Sequence, residues 1–148
     1  MHGSSYGGYM GTWMAGHTAR FKAIAVAAPV TNMLSFWGTS DIGVHFSEIE
    51  LGTGAGLESF EAYVQHSPIF YIPTVETPIL ILHGEDDDRV PIEQGEQYFT
   101  ALRRLAKPVE FVRLPDTSHG LFANRNLAMR EEYFTRVFNW LETQLNPE

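Results

Sequence analysis

Three side chains that could together hydrolyse an ester or an amide lie far apart in this sequence. Ser5 stands between Gly3 and Gly7 in the pattern Gly-x-Ser-x-Gly. A serine alcohol is a weak nucleophile at neutral pH, so it needs an adjacent base, and the base needs a group to orient it. Asp87 and His119 follow in the order serine, acid, histidine. The sequence therefore predicts a nucleophile, an acid and a base.

The residues around Ser5 match a nucleophile elbow, the sharp strand-to-helix turn that exposes the serine Oγ of α/β-hydrolases. Because the helix passes close to the strand there, we expect small side chains two residues before and two after the serine, as Gly3 and Gly7 are. Residues 7–17 are predicted to form the helix. The strand that leads into the serine is expected to be missing apart from residues 1–2.

Strands and helices are predicted to alternate along the chain. Residues 21–28, 78–84 and 109–114 are short, mostly apolar runs typical of buried strands. Residues 91–105 and 129–145 have the apolar spacing of helices. This alternation indicates an α/β fold with a parallel sheet flanked by helices. In the last helix the residues at helical spacing are Phe134, Val137, Phe138, Leu141 and Leu145.

Two further segments lie between the first two predicted strands. Residues 32–56 are rich in aromatic residues and glycine without a clear period, so we interpret them as an irregular or short-helical excursion over the site. Residues 58–66 are predicted to be a short helix. Phe36 and Trp37 are expected to line an acyl or side-chain pocket.

The two partners of Ser5 are predicted to lie where strands end. Asp87 follows the second strand and His119 follows the third, and the carboxyl ends of parallel strands meet at one edge of a sheet. Asp86, Asp87 and Asp88 could instead form a solvated turn, in which Asp88 favours the helix that follows. The joint occurrence of all three residue types at the expected places favours the catalytic interpretation.

Composition excludes several other classes of site. The chain has 148 residues, enough for one domain, and a net charge of −8, which argues against a nucleic-acid or anionic-membrane surface. It has no cysteine, so disulfides, thiolate catalysis and cysteine metal sites are excluded, and a cytoplasmic location is expected. No histidine pair has metal-ligand spacing, and serine hydrolysis requires no cofactor.

Residues 3–10, 83–91 and 118–120 together resemble the catalytic domain of the prolyl oligopeptidase family of serine peptidases. Residues 34–43 resemble its acylaminoacyl-peptidase-like bacterial branch. The resemblance covers nearly the whole chain, and residues 1–148 are expected to be a single, partial α/β-hydrolase catalytic domain.

The resemblance implies a role for each candidate residue. Ser5 would be the nucleophile and His119 the general base. Asp87 would be the acid, with Asp86 and Asp88 as alternatives if the register differs. Tyr6 would supply a backbone N–H to the oxyanion hole.

The sequence departs from the family pattern at its start. Family members carry a β-propeller and early hydrolase strands ahead of the elbow, and we expect both to be missing here, together with a loop that helps to complete the oxyanion hole. The chain is accordingly interpreted as the C-terminal portion of an α/β-hydrolase fold.

The sequence is compatible with three functions. The first is a serine peptidase that cleaves short peptides or acylated amino acids through an acyl-enzyme. The second is a carboxylesterase or dienelactone-hydrolase-like enzyme, since the elbow and triad are shared and fold does not settle the substrate. The third is an inactive fragment that associates through an exposed sheet edge with a partner or with itself, as a homo-oligomer.

Overall fold

Four parallel strands form the sheet that carries the candidate residues. The computed structural model describes residues 1–52, 56–120 and 127–146. The strands are β1 (His2–Ser4), β2 (Ile24–Ala27), β3 (Ile79–Gly84) and β4 (Val109–Leu114), and they lie side by side in that order. Every neighbouring pair is parallel, so all four carboxyl ends reach the same edge of the sheet.

The first strand corrects the expectation that the elbow strand is missing. His2, Gly3 and Ser4 pair with Ala25, Val26 and Ala27 of β2. The sheet therefore has four strands among the described residues, where the sequence predicted three. The pairing continues at both ends of this short strand, because the Ala25 N–H donates to the Met1 carbonyl and the Ser5 N–H donates to the Ala27 carbonyl, each at 2.9 Å.

Six helices connect and cover the strands within the described part of the chain. They are α1 (Tyr6–His17), α2 (Met33–Thr39), α3 (Gly43–Leu51), α4 (Phe60–Gln65), α5 (Glu93–Arg104) and α6 (Leu127–Leu145), with 3-10 turns at Leu57–Ser59 and Pro68–Thr74. The excursion at residues 32–56 thus contains two short helices, α2 and α3. Helix α5 begins two residues later than predicted, after Pro91 and Ile92.

The sheet is buried on both faces, as a parallel sheet must be. Alternate side chains of a strand point to opposite faces, so β2 and β3 each contribute to two apolar cores. Ala25, Ala27, Leu80 and Leu82 join the core that contains Tyr9, Phe36, Tyr63, Tyr133, Val137 and Trp140. Ile24, Val26, Ile79 and Ile81 join the other, with Ile72, Val75, Tyr98 and Leu102.

Helix α6 packs through a stripe that only partly matches the predicted one, since the predicted Val137 is buried and Leu141 packs against the core, but the two phenylalanines do not. Tyr133, Val137 and Trp140 are buried, whereas Phe134 and Phe138 are 39% and 65% exposed. The Trp140 indole N–H donates to the carbonyl of Ile24 at 3.1 Å, which holds this face against the sheet. Both stripes have helical spacing, so the choice between them depends on the packed partner and not on periodicity.

Candidate active site

Ser5 lies in a strained turn between β1 and α1. Its backbone has φ 57° and ψ −118°, a positive φ that non-glycine residues seldom adopt. The Ser5 N–H donates to the Ala27 carbonyl at 2.9 Å, and the Ser5 carbonyl accepts from the Tyr9 N–H at 2.9 Å. The sheet and the helix thus hold opposite sides of the same residue, which maintains a conformation that would otherwise cost about 1–3 kcal/mol.

Close backbone contacts explain only part of the glycine pattern around the serine. A Cβ placed on Gly3 would lie 2.4 Å from the Gly7 carbonyl oxygen, and one on Gly8 would lie 2.7 Å from the Ala27 carbonyl oxygen. A Cβ on Gly7 would meet nothing within 4 Å. The expectation that Gly7 must be small is therefore wrong, because its side-chain direction points away from the strand, and it is Gly8 that faces the sheet.

Gly3→Ala is expected to destabilise the elbow, and Gly7→Ala provides a matched control. The new methyl group at position 3 collides with backbone that cannot move without breaking the turn, so we expect a loss of about 1–3 kcal/mol in the free energy of unfolding. The methyl group at position 7 enters open space in a helix, where alanine is favoured over glycine by up to about 1 kcal/mol. Denaturant unfolding of both variants measures the difference; equal losses would contradict the contact argument.

Two loops at the carboxyl edge of the sheet bring the acid and the histidine together. The Glu85 N–H donates to the Leu114 carbonyl at 3.0 Å, and the Asp86 N–H donates to the Thr117 carbonyl at 3.0 Å. A Cβ on Gly84 would lie 2.1 Å from the Thr117 carbonyl oxygen, so glycine permits this close approach. The turn after β3 and the turn after β4 are consequently held against one another.

The side chains of Ser5, His119 and Asp87 form one hydrogen-bonded line across these loops. The Nε2 of His119 lies 2.9 Å from the Ser5 Oγ. Its Nδ1 lies 2.9 Å from the Asp87 Oδ2. It is thus Asp87, of the three consecutive aspartates, whose carboxylate meets the histidine.

The environment of Asp87 favours a buried carboxylate that orients the ring. The residue is only 4% exposed, and its Oδ1 accepts from the N–H groups of Arg89 at 3.1 Å and Val90 at 2.9 Å. Such bonds compensate a buried charge. An ionised carboxylate can only accept, so the Nδ1 of His119 donates to it, and a neutral ring then presents Nε2 as an acceptor toward the Ser5 hydroxyl.

Tyr6, predicted to supply a backbone N–H to the oxyanion hole, lies at the start of α1. It is the first residue of α1, so its backbone N–H has no intrahelical carbonyl to bond, and it directly follows Ser5. The positive end of the helix dipole adds to the attraction for a developing oxyanion. The phenol ring is 54% exposed and lines the cavity beside the serine.

A cavity of about 110 Å³ opens beside Ser5 and His119. Its other described lining residues are mostly apolar: Tyr6, Tyr9, Val30, Met33, Phe36, Ile42, Phe46, Arg89 and Val90. Phe36 therefore lies where the sequence suggested, in edge-to-face contact with Phe46. Trp37 is not among the described lining residues, because the next side chain along a helix points about 100° away.

The phenol of Tyr9, another lining residue, stays neutral. Its pKa is raised to about 12, mainly by burial.

Arg89 is a cavity residue that sequence reasoning missed. Its guanidinium forms a bidentate pair with Asp41, with Nε 2.8 Å from Oδ1 and an Nη 3.2 Å from Oδ2. The hydrogen bond to Asp41 raises the pKa of Arg89, and that same bond lowers the pKa of Asp41. The pair joins the turn between α2 and α3 to the loop of Asp87. The sequence did offer one signal for Arg89, since it stands two residues after Asp87.

Comparison with known proteins shows the family of the chain. The prolyl oligopeptidase family matches the chain over residues 1–148. The chain belongs to the prolyl oligopeptidase family. This family membership agrees with the resemblance of residues 3–10, 83–91 and 118–120.

Relatives in the family show which branch the chain resembles. It is 42% identical to the uncharacterized peptidase YuxL of Bacillus subtilis over 97% of this chain and 22% of that protein. It is 32% identical to the acylamino-acid-releasing enzyme of Homo sapiens over 97% of this chain and 20% of that enzyme. The chain thus spans about a fifth of the length of these curated relatives.

Solved structures of family members have the same fold. The uncomplexed acylaminoacyl peptidase of Pyrococcus horikoshii superposes with a TM-score of 0.93 at 30% identity, over 97% of this chain and 23% of that one. An acylaminoacyl peptidase in complex with Z-Gly-Gly-Phe-chloromethyl ketone gives 0.91 at 30% identity, over 95% and 23%. The described strands and helices are therefore those of an α/β-hydrolase.

Metal-ligating clusters and membrane-spanning helices are both absent from the described residues. Residues 1–52, 56–120 and 127–146 contain no group of three or more histidine or carboxylate side chains placed to hold a metal ion. Across those same ranges, no helix is both long and apolar enough to span a bilayer.

Proposed function

We propose that the protein is a serine peptidase that hydrolyses amide bonds through an acyl-enzyme, with Ser5, His119 and Asp87 as its catalytic residues. The observation that carries this proposal is the His119 ring, whose two nitrogens lie 2.9 Å from the Ser5 Oγ and 2.9 Å from the Asp87 Oδ2. A ring held at both ends can take a proton from the serine without first reorienting.

The proposed reaction has two halves. The Ser5 Oγ attacks the substrate carbonyl while His119 Nε2 takes the hydroxyl proton, and the carbonyl electron pair moves onto oxygen beside the Tyr6 N–H. Collapse of this intermediate breaks the C–N bond, and His119 returns the proton to the leaving amine. A water molecule then attacks the acyl-enzyme with the same residues in the same roles, which releases the acid and frees Ser5.

The proposed substrates are short peptides or acylated amino acids with an apolar side chain beside the scissile bond. The cavity next to Ser5 is lined mainly by apolar groups such as Val30, Met33 and Phe36, and so favours an aliphatic or aromatic group. An acylaminoacyl peptidase with the same fold is known in complex with Z-Gly-Gly-Phe-chloromethyl ketone, which supports this choice.

The remaining expectations about the complete protein stay proposals. We infer that residues 1–148 act as part of one catalytic domain, since the relatives are about five times longer than the segment they share with this chain. We also predict a propeller that admits only small substrates to the active site. A cytoplasmic location is a further prediction.

Amide and ester substrates separate the peptidase from the carboxylesterase. In the complete native protein we expect an acyl-phenylalanine anilide to be cleaved with a kcat/KM about 10- to 100-fold above that of the acyl-glycine anilide. Burial of the aromatic side chain contributes roughly 1.5–3 kcal/mol. An acyl-glutamate anilide is the charged control and should be slower than the phenylalanine compound. Turnover of aryl esters with no cleavage of any anilide would contradict the peptidase assignment.

A further inference from the structure

A second imidazole lies buried behind the candidate acid. His83, near the end of β3, is fully buried. Its Nε2 lies 2.8 Å from the Val90 carbonyl oxygen and 3.8 Å from the Asp87 Oδ2. That carboxylate oxygen is the one that accepts from His119, so two histidines flank it, one partly exposed and one inside the protein.

The contacts of His83 determine its protonation state. A carbonyl oxygen can only accept, so Nε2 carries the hydrogen and donates it to Val90. Burial lowers the pKa of His83, against the opposing effects of the bond to Val90 and the charges of Asp87 and Glu93. The ring is therefore neutral at neutral pH and adds no positive charge beside the acid.

The other nitrogen of the ring makes this arrangement costly. Nδ1 has no hydrogen-bond partner among the described residues. A buried polar atom without a partner costs about 1–3 kcal/mol, and a leucine at this position would carry no such atom. Gly95 of α5 faces this nitrogen closely, since a Cβ built on Gly95 would lie 2.7 Å from Nδ1. Because His83 costs stability where leucine would not, we expect its imidazole to have a role beside Asp87.

We propose that His83 is a positioning residue for the triad, which acts by holding Val90. Residue 90 is fixed at both of its polar backbone atoms: its carbonyl accepts from His83, and its N–H donates to the Asp87 Oδ1 at 2.9 Å. Because Oδ1 is held there, Oδ2 is left for the Nδ1 of His119. The neutral His83 ring thus holds Val90, and Val90 in turn holds the Asp87 carboxylate in the orientation in which it bonds to His119.

The test compares His83→Leu with His83→Gln in the complete native protein. The Gln amide can donate to Val90 from nearly the place of the imidazole Nε2, whereas Leu of similar size cannot. We expect His83→Leu to lower kcat by about 10- to 100-fold with KM within about twofold, because a small misplacement of a catalytic group costs rate more than binding. His83→Gln should recover most of the rate. Active sites are titrated with a fluorophosphonate, so that loss of folded protein is not counted as loss of kcat.

Proton NMR gives a readout that does not need turnover. The proton shared by His119 Nδ1 and Asp87 is expected at very low field in the parent, to broaden or move upfield in His83→Leu, and to return in His83→Gln. The kinetic arm rests on the proposed function, whereas this resonance does not. A parent protein with the resonance but no labelling at Ser5 would therefore contradict the proposed function and leave the His83 proposal standing.

Gly95→Ala serves as the second variant if His83→Leu does not fold. Its methyl group would press on Nδ1 without removing the imidazole, and we expect a lower kcat and a shifted resonance. The proposal is overturned if the variants keep kcat within about twofold and the resonance unchanged. It is also overturned if His83→Gln loses as much as His83→Leu, since the bond to Val90 would then not be the cause.

Discussion

Ser5→Ala is expected to lower the hydrolysis of a peptide anilide by the complete native protein by about 10⁴- to 10⁶-fold. The change removes the hydroxyl whose oxygen lies 2.9 Å from His119 Nε2, and with it the covalent intermediate. His119→Ala should cost a similar amount, and the double variant little more, because the nucleophile and its base act as one unit.

Covalent labelling checks this first prediction at the residue itself. A fluorophosphonate reacts with an activated serine, so it should label the parent protein and fail on Ser5→Ala. Ser4→Ala is the matched control, since it removes the neighbouring hydroxyl at the end of β1 and should still be labelled. Labelling that survives in Ser5→Ala would show that another group is the nucleophile.

Asp87→Asn is expected to lower kcat by about 10⁴-fold while the fold is retained. The amide keeps the size of the carboxylate but has lost its charge, and its NH₂ can donate toward Nδ1. That arrangement favours the tautomer that places the hydrogen on Nε2, where it faces the serine and blocks proton transfer. Asp87 is buried and held by two backbone N–H donors. Among the described contacts, no other carboxylate is bonded to His119 and could replace it.

The two neighbouring aspartates are matched controls for this second prediction. Asp86 and Asp88 are exposed, and each can be changed to asparagine with the same loss of one charge. We expect both variants to keep kcat within about threefold, since surface substitutions seldom perturb a site. Steady-state kinetics on the three single variants make the comparison. A loss in Asp88→Asn equal to that in Asp87→Asn would contradict the assigned geometry.

Much of the site could be predicted from the sequence because its determinants are local. A glycine-flanked serine predicts an elbow, and an apolar run followed by polar residues predicts where a buried strand ends. Parallel strands bring such ends to one edge, so Ser5, Asp87 and His119 were expected there before any distance was known. The structure places the His119 ring between the other two side chains, with Nε2 2.9 Å from the Ser5 Oγ and Nδ1 2.9 Å from the Asp87 Oδ2.

Other features depend on contacts between residues that are distant in the chain, and local pattern does not determine these. Gly3 and Gly7 are equivalent in the motif, yet only the Cβ direction of Gly3 points into backbone. Phe36 and Trp37 are adjacent aromatics, and the rotation of α2 alone selects which one lines the cavity.

The same distinction applies to the edge of the sheet and to the last helix. β1 is a strand because β2 pairs with it, although its three residues carry no strand pattern of their own. In α6 the buried stripe is that of Tyr133, Val137 and Trp140, since these side chains meet the sheet. The sequence by itself determined the order of the elements and the chemistry at their ends. Only the tertiary structure decided which of several equivalent side chains is directed toward the site or the core. The direction of a side chain depends on the element packed against it and not on the spacing of residues along the chain.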